Sequence, residues 1–497
     1  MAMKKQTTLY FIVMTMLLSF TFSGCEKFLD KNPQGVLTQN TFPVSASDAL
    51  LATNAAYATL RTGGYNSGTF PILDIMSDDA RKGSNEGDAA STIGPYDNFT
   101  FTTTGAELSS WWSSLYEGIK RTNVVIIKVP DITMDVTLQN RYIGEAKFLR
   151  ALYYFDLVRA WGDVPIVTTL SPSLTLPRSP KGDVYNLIIS DLVFAIDNLK
   201  ERDELSATDA GRATKGAARG LLAKVYLFMG DFVNAEKYAM DVINSQKYGL
   251  ETVFTDASGV NGDHGIESVF EIGAVGAESD AGNPFAQVQG VRGTPNRGWG
   301  FNRPSVNLRS SFEPNDPRVK GTIIDLGDII DGDTILGDGG TLDVTKDAQG
   351  NIIETECYNR KVWTPGKDVA SQMGCNRRIL RFADVYLMAA EALNENNKPA
   401  DALIYLNKVR ERARQGNTAI LPDITETGKD ALRILIMNER RHELAMEGNR
   451  FWDLVRTGKA AEVLGPLGFK ASQHELFPVP QAEIDLSQGT LSQNPNW

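Results

Sequence analysis

The stretch Glu145–Ile166, EAKFLRALYYFDLVRAWGDVPI, decides the fold class. At 100° per residue, Phe148, Ala151, Leu152 and Phe155 line one apolar face, and Leu149, Tyr153, Leu157 and Ala160 line another. Glu145, Asp156 and Arg159 fall in a stripe between the two. A helix that is apolar on two sides packs on two sides, so this is an interior helix of a helical body. Gly162 stops it, and Pro165 keeps the exit extended.

Working outward, apolar periodicity predicts helices over 48–60, 107–129 and 138–161, the first capped by Asp48 behind Ser45 and Ser47. ARGLLAKVYLFMGDFVNAEKYAMDVINSQKY (218–248) reads as a helical hairpin turning at Gly230-Asp231. Ala223, Tyr226, Ala235 and Val242 carry the small-large-small-apolar spacing of a tetratricopeptide unit, and Ala390, Leu393, Ala402 and Val409 repeat it. Further helices are expected over 376–394, 400–415, 428–446 and 450–457. Residues 61–105 read as long ordered loops. The largest insertion, 250–375, is loop-rich, with short strands near 268–272 and 320–324. The expected architecture is mainly α: a helical body of tetratricopeptide-like pairs, with a loop-rich ligand face and a few short strands. It divides into an N-terminal helical region, 45–249, and a C-terminal region, 250–497, packed as one body.

At the N-terminus, Lys4 and Lys5 precede an apolar run from Leu9 to Phe22, then Ser23 and Gly24. That is the layout of a secretory signal peptide over residues 1–24. Phe22-Ser23-Gly24-Cys25 resembles a lipobox, with Phe22 in place of the usual aliphatic residue. Cys25 is then the lipidation point, since a thiolate is the nucleophile that lipid transfer needs, and 25–44 is a tether. Loss of residues 1–24 removes two lysines and no acid, so the formal charge moves from −11 to −13. A body this acidic is a poor nucleic-acid binder. The remaining cysteines, Cys357 and Cys375, read equally as a disulfide of an exported protein or as two buried thiols.

Enzyme signatures mostly fail. The three histidines, His264, His442 and His474, are far apart. HELAM (442–446) puts Met446 where a zinc-protease helix needs its second ligand, and GYNSG (64–68) has the wrong spacing for a nucleophile elbow. DGDTILGDGG (331–340) leaves the calcium-loop pattern after two positions and reads as a solvated loop. No metal or cofactor is expected. A glycosidase carboxylate pair needs only to meet in space, and 61 acidic residues give no way to choose one. NERRHELAMEGNRFWDLVRTG (438–458) interleaves Arg and Glu and reads as an internal ion-pair network rather than an anion site.

Several stretches resemble the SusD/RagB family of outer-membrane nutrient-binding lipoproteins of Bacteroidota: residues 145–167, 218–239, 312–318 (FEPNDPR), 381–395 (RFADVYLMAAEALNE), 438–460 and 476–497. The resemblance spans nearly the whole mature chain. It implies a non-enzymatic binding protein, lipid-anchored in the outer membrane at the cell surface. It also implies a TonB-dependent SusC-like transporter as partner, over which the protein sits as a hinged lid. Oligosaccharide is the usual ligand class, and RagB-like relatives take peptides. A glycan-degrading enzyme on a helical scaffold is the reading from another class.

A sugar presents apolar C–H faces and a rim of hydroxyls, so its site calls for exposed aromatics among Asp, Asn and Arg. Three loop regions qualify: 74–83 with 96–101, 283–304, and 358–367. The candidates are Trp299 and Trp363 as stacking platforms, Tyr96 assisting, and Asp78 and Arg81 binding hydroxyls. Trp111 and Trp112 are assigned to the scaffold.

Overall fold

The interior helix is the centre of the molecule. In a computed structural model, helices α1 (Ala46–Ala58), α2 (Ala106–Lys128), α3 (Val136–Trp161), α4 (Lys181–Asn198), α5 (Lys215–Met229), α6 (Phe232–Asn244), α7 (Phe382–Glu395), α8 (Pro399–Arg414), α9 (Lys429–Leu444) and α10 (Arg450–Arg456) form the body. The structure describes residues 42–66, 70–276, 282, 284–339, 344–365 and 374–497. The signal peptide 1–24, Cys25 and the tether up to residue 41 lie outside the described residues. Ser45–Trp497 is a single unit.

Both apolar faces of α3 are covered. Leu149, Ala151, Leu157 and Ala160 are fully buried, as is the stripe residue Glu145. α1, α2 and α4 pack around it. α4 is a helix beyond those the periodicity predicts, and its Val184, Ile188, Leu192 and Ala195 recur at helical spacing and are all buried. Arg150 clamps Asp191 of α4 through two hydrogen bonds of 2.7 and 2.9 Å. The cap of α1 is Ser45, not Asp48. Asp48 is the third helical residue and closes a capping box by accepting from the Ser45 N–H.

The two tetratricopeptide-like pairs, α5–α6 and α7–α8, are neighbours in space. α6 packs on α7, and Asn396 donates to the Phe232 carbonyl at 3.0 Å and to Glu236 at 2.8 Å. Gly230 turns the first pair in a left-handed conformation (φ 74°), and Asp231 caps α6. The spacing residues Ala223, Ala235, Val242, Ala390, Ala402 and Val409 are all fully buried.

Strands occur only as two-stranded antiparallel ribbons among the described residues. β1 (Ala80–Gly83) pairs with β3 (Phe301–Pro304), and β2 (Ser268–Ile272) with β10 (Arg377–Arg381). β4 (Ile323–Asp325) pairs with β9 (Cys357–Asn359), β5 (Ile329–Ile330) with β6 (Asp333–Thr334), and β7 (Val344–Lys346) with β8 (Ile352–Thr355). Two assignments change. The expected helix over 376–394 opens as β10, because pairing with β2 holds Arg377–Arg381 extended and the helix begins only at Phe382. The expected strand over 320–324 is mostly the helix Arg318–Thr322, with β4 following.

Cys357 and Cys375 are both buried and unbridged in the structure. The Cys357 thiol donates to the Pro304 carbonyl at 3.3 Å. Burial pushes Cys357 up to about 11 and Cys375 up to about 12.

The charged segment 438–458 is internal. Glu443 meets Arg318, Arg381 and Arg412, and Glu447 meets Arg381 and Lys361. Arg440 joins Asp384 to Asp453, and Arg456 holds Glu391. Burial pushes the Glu443 carboxyl up, but Arg412, Arg381 and Arg318 outweigh it and hold it down at about 2.

Candidate functional site

The three loop regions do come together. β1 pairs with β3 in the register Ala80↔Pro304, Arg81↔Arg303 and Gly83↔Phe301, which joins 74–83 to 283–304. Continuing the ribbon, the Ser84 N–H donates to the Gly300 carbonyl at 2.7 Å. A Cβ on Gly83, at φ 70°, would stand 2.5 Å from that carbonyl, so the crossing requires glycine. The third region joins through Tyr358, whose hydroxyl donates to Glu356 at 2.5 Å and lies 3.3 Å from the Arg292 carbonyl.

Arg292 staples the loops. It donates to the Ser84 hydroxyl at 2.7 Å, pairs with Asp88, and holds Asp338 at 2.6 Å. Arg297 binds Asp333 at 2.7 Å. The Trp363 indole N–H donates to Asp331 at 2.7 Å, and the Arg297 and Arg360 guanidiniums both lie 5.6 Å from its ring centroid. The acidic run 331–340 is therefore structural, since Asp331, Asp333 and Asp338 bind Trp363, Arg297 and Arg292.

On this base Trp299 stands out. It is 49% exposed and is the only exposed aromatic side chain among the described residues. Its N–H donates to the Gln287 carbonyl at 2.8 Å, and the Gly300 N–H donates to the Gly290 carbonyl at 2.9 Å. A Cβ at Gly298 would stand 2.4 Å from the Gln287 carbonyl. The flanking glycines let the backbone sink and leave the ring outside.

The other candidates separate. Arg81 is half-buried, with its Nη1 donating to the Ala80 carbonyl at 2.9 Å and lying 4.0 Å from the Asp97 carboxylate. Trp363 is only 7% exposed and supports the site from beneath rather than offering a ring face. Tyr96 is fully buried, stacked on Phe101 at 4.9 Å in a cluster with Phe99, His474 and Trp497. No ring face of Tyr96 is left for a sugar. Asp78 is buried and bound by Arg450 at 2.8 and 3.0 Å and by Arg441 at 2.9 Å. Burial raises its carboxyl, but the Arg450 hydrogen bond and the Arg441 and Arg450 charges hold it below its ordinary value. Asp78 ties the first loop region to α9 and α10 and faces no ligand. Trp111 and Trp112 are scaffold, packed on Trp161. Sequence reasoning missed Gln289, Arg292, Arg297 and Asn302. Their roles depend on partners far along the chain, and no local spacing marks them.

Glu313, Glu439 and His442 bring ligand-type atoms together, but Arg410 bonds both carboxylates, at 2.6 and 2.9 Å, and Arg318 also takes Glu439. Two guanidiniums already neutralise the acids, which disfavours a cation there.

The comparisons agree with this architecture. Residues 266–469 match the SusD family model, and residues 27–227 match a model described as starch-binding associating with outer membrane. A SusD-like protein of Formosa agariphila is 29% identical over 97% of this chain and 98% of its own. A solved laminarin-binding SusD-like protein is 31% identical with a TM-score of 0.78, covering 91% of this chain and 100% of that one. Surface glycan-binding protein A from Bacteroides thetaiotaomicron, solved with laminarihexaose, is 26% identical with a TM-score of 0.76, over 91% of this chain and 100% of that one. No helix among the described residues is long and apolar enough to cross a membrane.

Proposed function

The chain belongs to the SusD/RagB family, and from that premise we propose that it captures an oligosaccharide at the outer membrane without cleaving it and passes it to a SusC-like TonB-dependent transporter. The observation that carries the reading is Trp299, an exposed indole on a base of three converging loops. A ring held this way offers a flat apolar face to a pyranose, while the half-buried Arg81 supplies a directional donor for hydroxyls. The aspartates around it are engaged by arginines and by an indole N–H, an arrangement that orients a ligand and does not shuttle protons. Cys25 is the lipid attachment point under this reading, and residues 25–44 are the tether.

Because one similar solved protein binds laminarin and another was solved with laminarihexaose, laminarihexaose is the first ligand to test. Calorimetry on residues 26–497 should give saturable binding with no new reducing ends after prolonged incubation. Trp299→Ala should weaken binding about tenfold, the scale of one aromatic stacking contact. Release of shorter sugars would instead favour an enzyme. Binding of oligopeptides in place of every glycan tried would favour a RagB-like receptor.

A further inference from the structure

Beneath Trp299 runs a buried polar relay that ends on an acid. Asp74, in the short helix Phe70–Ile75, is 4% exposed. Its carboxylate accepts from the Gly448 N–H at 2.8 Å and from the Asn302 side-chain amide at 3.0 Å. The same amide nitrogen donates to Gln289 Oε1 at 2.7 Å, and Asn359 donates to that oxygen at 3.0 Å. Gln289 closes the short helix Pro284–Gln289, and Gln287 in that helix supplies the carbonyl that holds the Trp299 N–H. The Asn302 carbonyl oxygen is buried and has no hydrogen-bond partner.

We infer that Asp74 is a positioning residue that makes ligand capture depend on pH, by holding Asn302 and Gln289 in the arrangement that fixes the backbone beneath Trp299. The inference rests on the glycan reading above. Ionised, Asp74 presents two acceptors to two donors, and only Asn302 Oδ1 is left over. One added proton converts one carboxyl oxygen to a donor that faces an N–H. The neighbouring acceptor without a partner is Asn302 Oδ1. Rotating the Asn302 amide brings Oδ1 to the new O–H and withdraws its N–H from Gln289 Oε1, which then keeps only Asn359. The helix under Trp299 loses a tie to the core.

Titration in the neutral range fits the surroundings. Burial pushes the Asp74 carboxyl up to about 7, against the lowering effect of the Asn302 and Gly448 hydrogen bonds, and the Asp79 and Glu447 charges add to the rise. Most facing charges have partners of their own, and Arg377 is the facing cation whose charge also acts on Asp74. Asp79 is paired with Arg441, Glu447 with Arg381 and Lys361, and Arg378 with Glu271 and Asp263. Arg377, which lines the same small cavity of about 30 Å³, lies against the rings of Tyr65 and Phe285.

The test measures laminarihexaose affinity between about pH 5.5 and about pH 8.5, a range that brackets about 7. Affinity should rise about fivefold with pH, the low end of ordinary coupling between linked sites. It should be flat in Asp74→Asn, and flat in Asn302→Gly, which keeps the left-handed backbone at that position (φ 55°). Trp299 emission, taken as the difference between the wild type and Trp299→Phe, should shift with the same midpoint in the absence of ligand. If Asp74→Asn fails to fold, Asn302→Gly and the emission titration carry the test. Equal affinity across the range, or a slope that survives either variant, overturns the inference. Failure to bind any glycan while the emission transition persists sinks the glycan reading alone. Absence of that transition sinks the relay.

Discussion

Arg450 holds Asp78 through two hydrogen bonds, at 2.8 and 3.0 Å, across 372 positions of sequence. This pair, with Arg441 beside it, joins the start of the ligand face to the last helices of the body. Asp78→Ala would strip the largely buried Arg450 guanidinium of its paired carboxylate and leave Arg441 with Asp79 alone. The expected cost is about 3 kcal/mol, since breaking a buried pair exceeds the pair's own net worth. Chemical denaturation measures it, and a change within about 0.5 kcal/mol, the usual effect of a surface substitution, would show the pair to be ornamental.

Trp363 and Trp299 should behave oppositely. Trp363→Phe keeps a ring between Arg297 and Arg360 but removes the donor to Asp331. Stability should fall by about 2 kcal/mol, the range of a hydrogen bond to a charged acceptor. Trp299→Ala should leave the melting temperature unchanged and reduce only affinity. Equal stability losses in the two variants would contradict their different burial.

Gly83→Ala tests the crossing of the loops. The new methyl would meet the Gly300 carbonyl at 2.5 Å from a left-handed backbone. A loss of about 2 kcal/mol and a weaker ligand complex are expected, because the ribbon must open to accommodate it. Wild-type affinity in this variant would mean that the ribbon does not position Trp299.

Acid stability should depend on Glu271. Burial raises its carboxyl, but the His264 hydrogen bond and the Arg378 charge hold it down at about 2, below its unfolded value. Its contribution is complete above about pH 4.5 and disappears as pH falls through about 2. The stability difference between wild type and Glu271→Gln should therefore be about 2–3 kcal/mol near neutrality and shrink in that acid window. A difference that is constant with pH would place the effect in packing.

Thiol counting closes the cysteine question. In the unlipidated body, Cys357 and Cys375 should both label after denaturation without reductant, and neither should label quickly in the native state. Labelling that requires reductant would restore the bridge.

The sequence made the scaffold readable because a helix buried on two sides leaves a periodic mark, as α3 does at Leu149, Tyr153 and Leu157. The α5–α6 and α7–α8 pairs left theirs in Ala223, Ala235, Ala390 and Ala402. The candidate site was legible only by region. Composition located three aromatic and polar loops, and β1–β3 pairing and the Arg292 bonds assemble them. Which indole faces solvent was decided by contacts that no spacing encodes. Gly298 sinks beside Gln287, and Asp331 holds Trp363 down. Tyr96 looked like a loop aromatic, but its partner Phe101 and the distant His474 cluster turn it inward.

The β2–β10 ribbon has a modular consequence. Residues 273–376 leave the body at Ile272 and return at Arg377, and those two residues are paired neighbours. The chain of this excursion thus enters and leaves through two paired strands, while β3, Arg318 and Lys361 hold it to β1 and α9 and to Glu447. The entropy of closing such a segment grows only slowly with its length. A graft cut at this pair of strands would need a recipient that supplies Ser84 and Asp88 for Arg292 and Glu439 and Glu443 for Arg318.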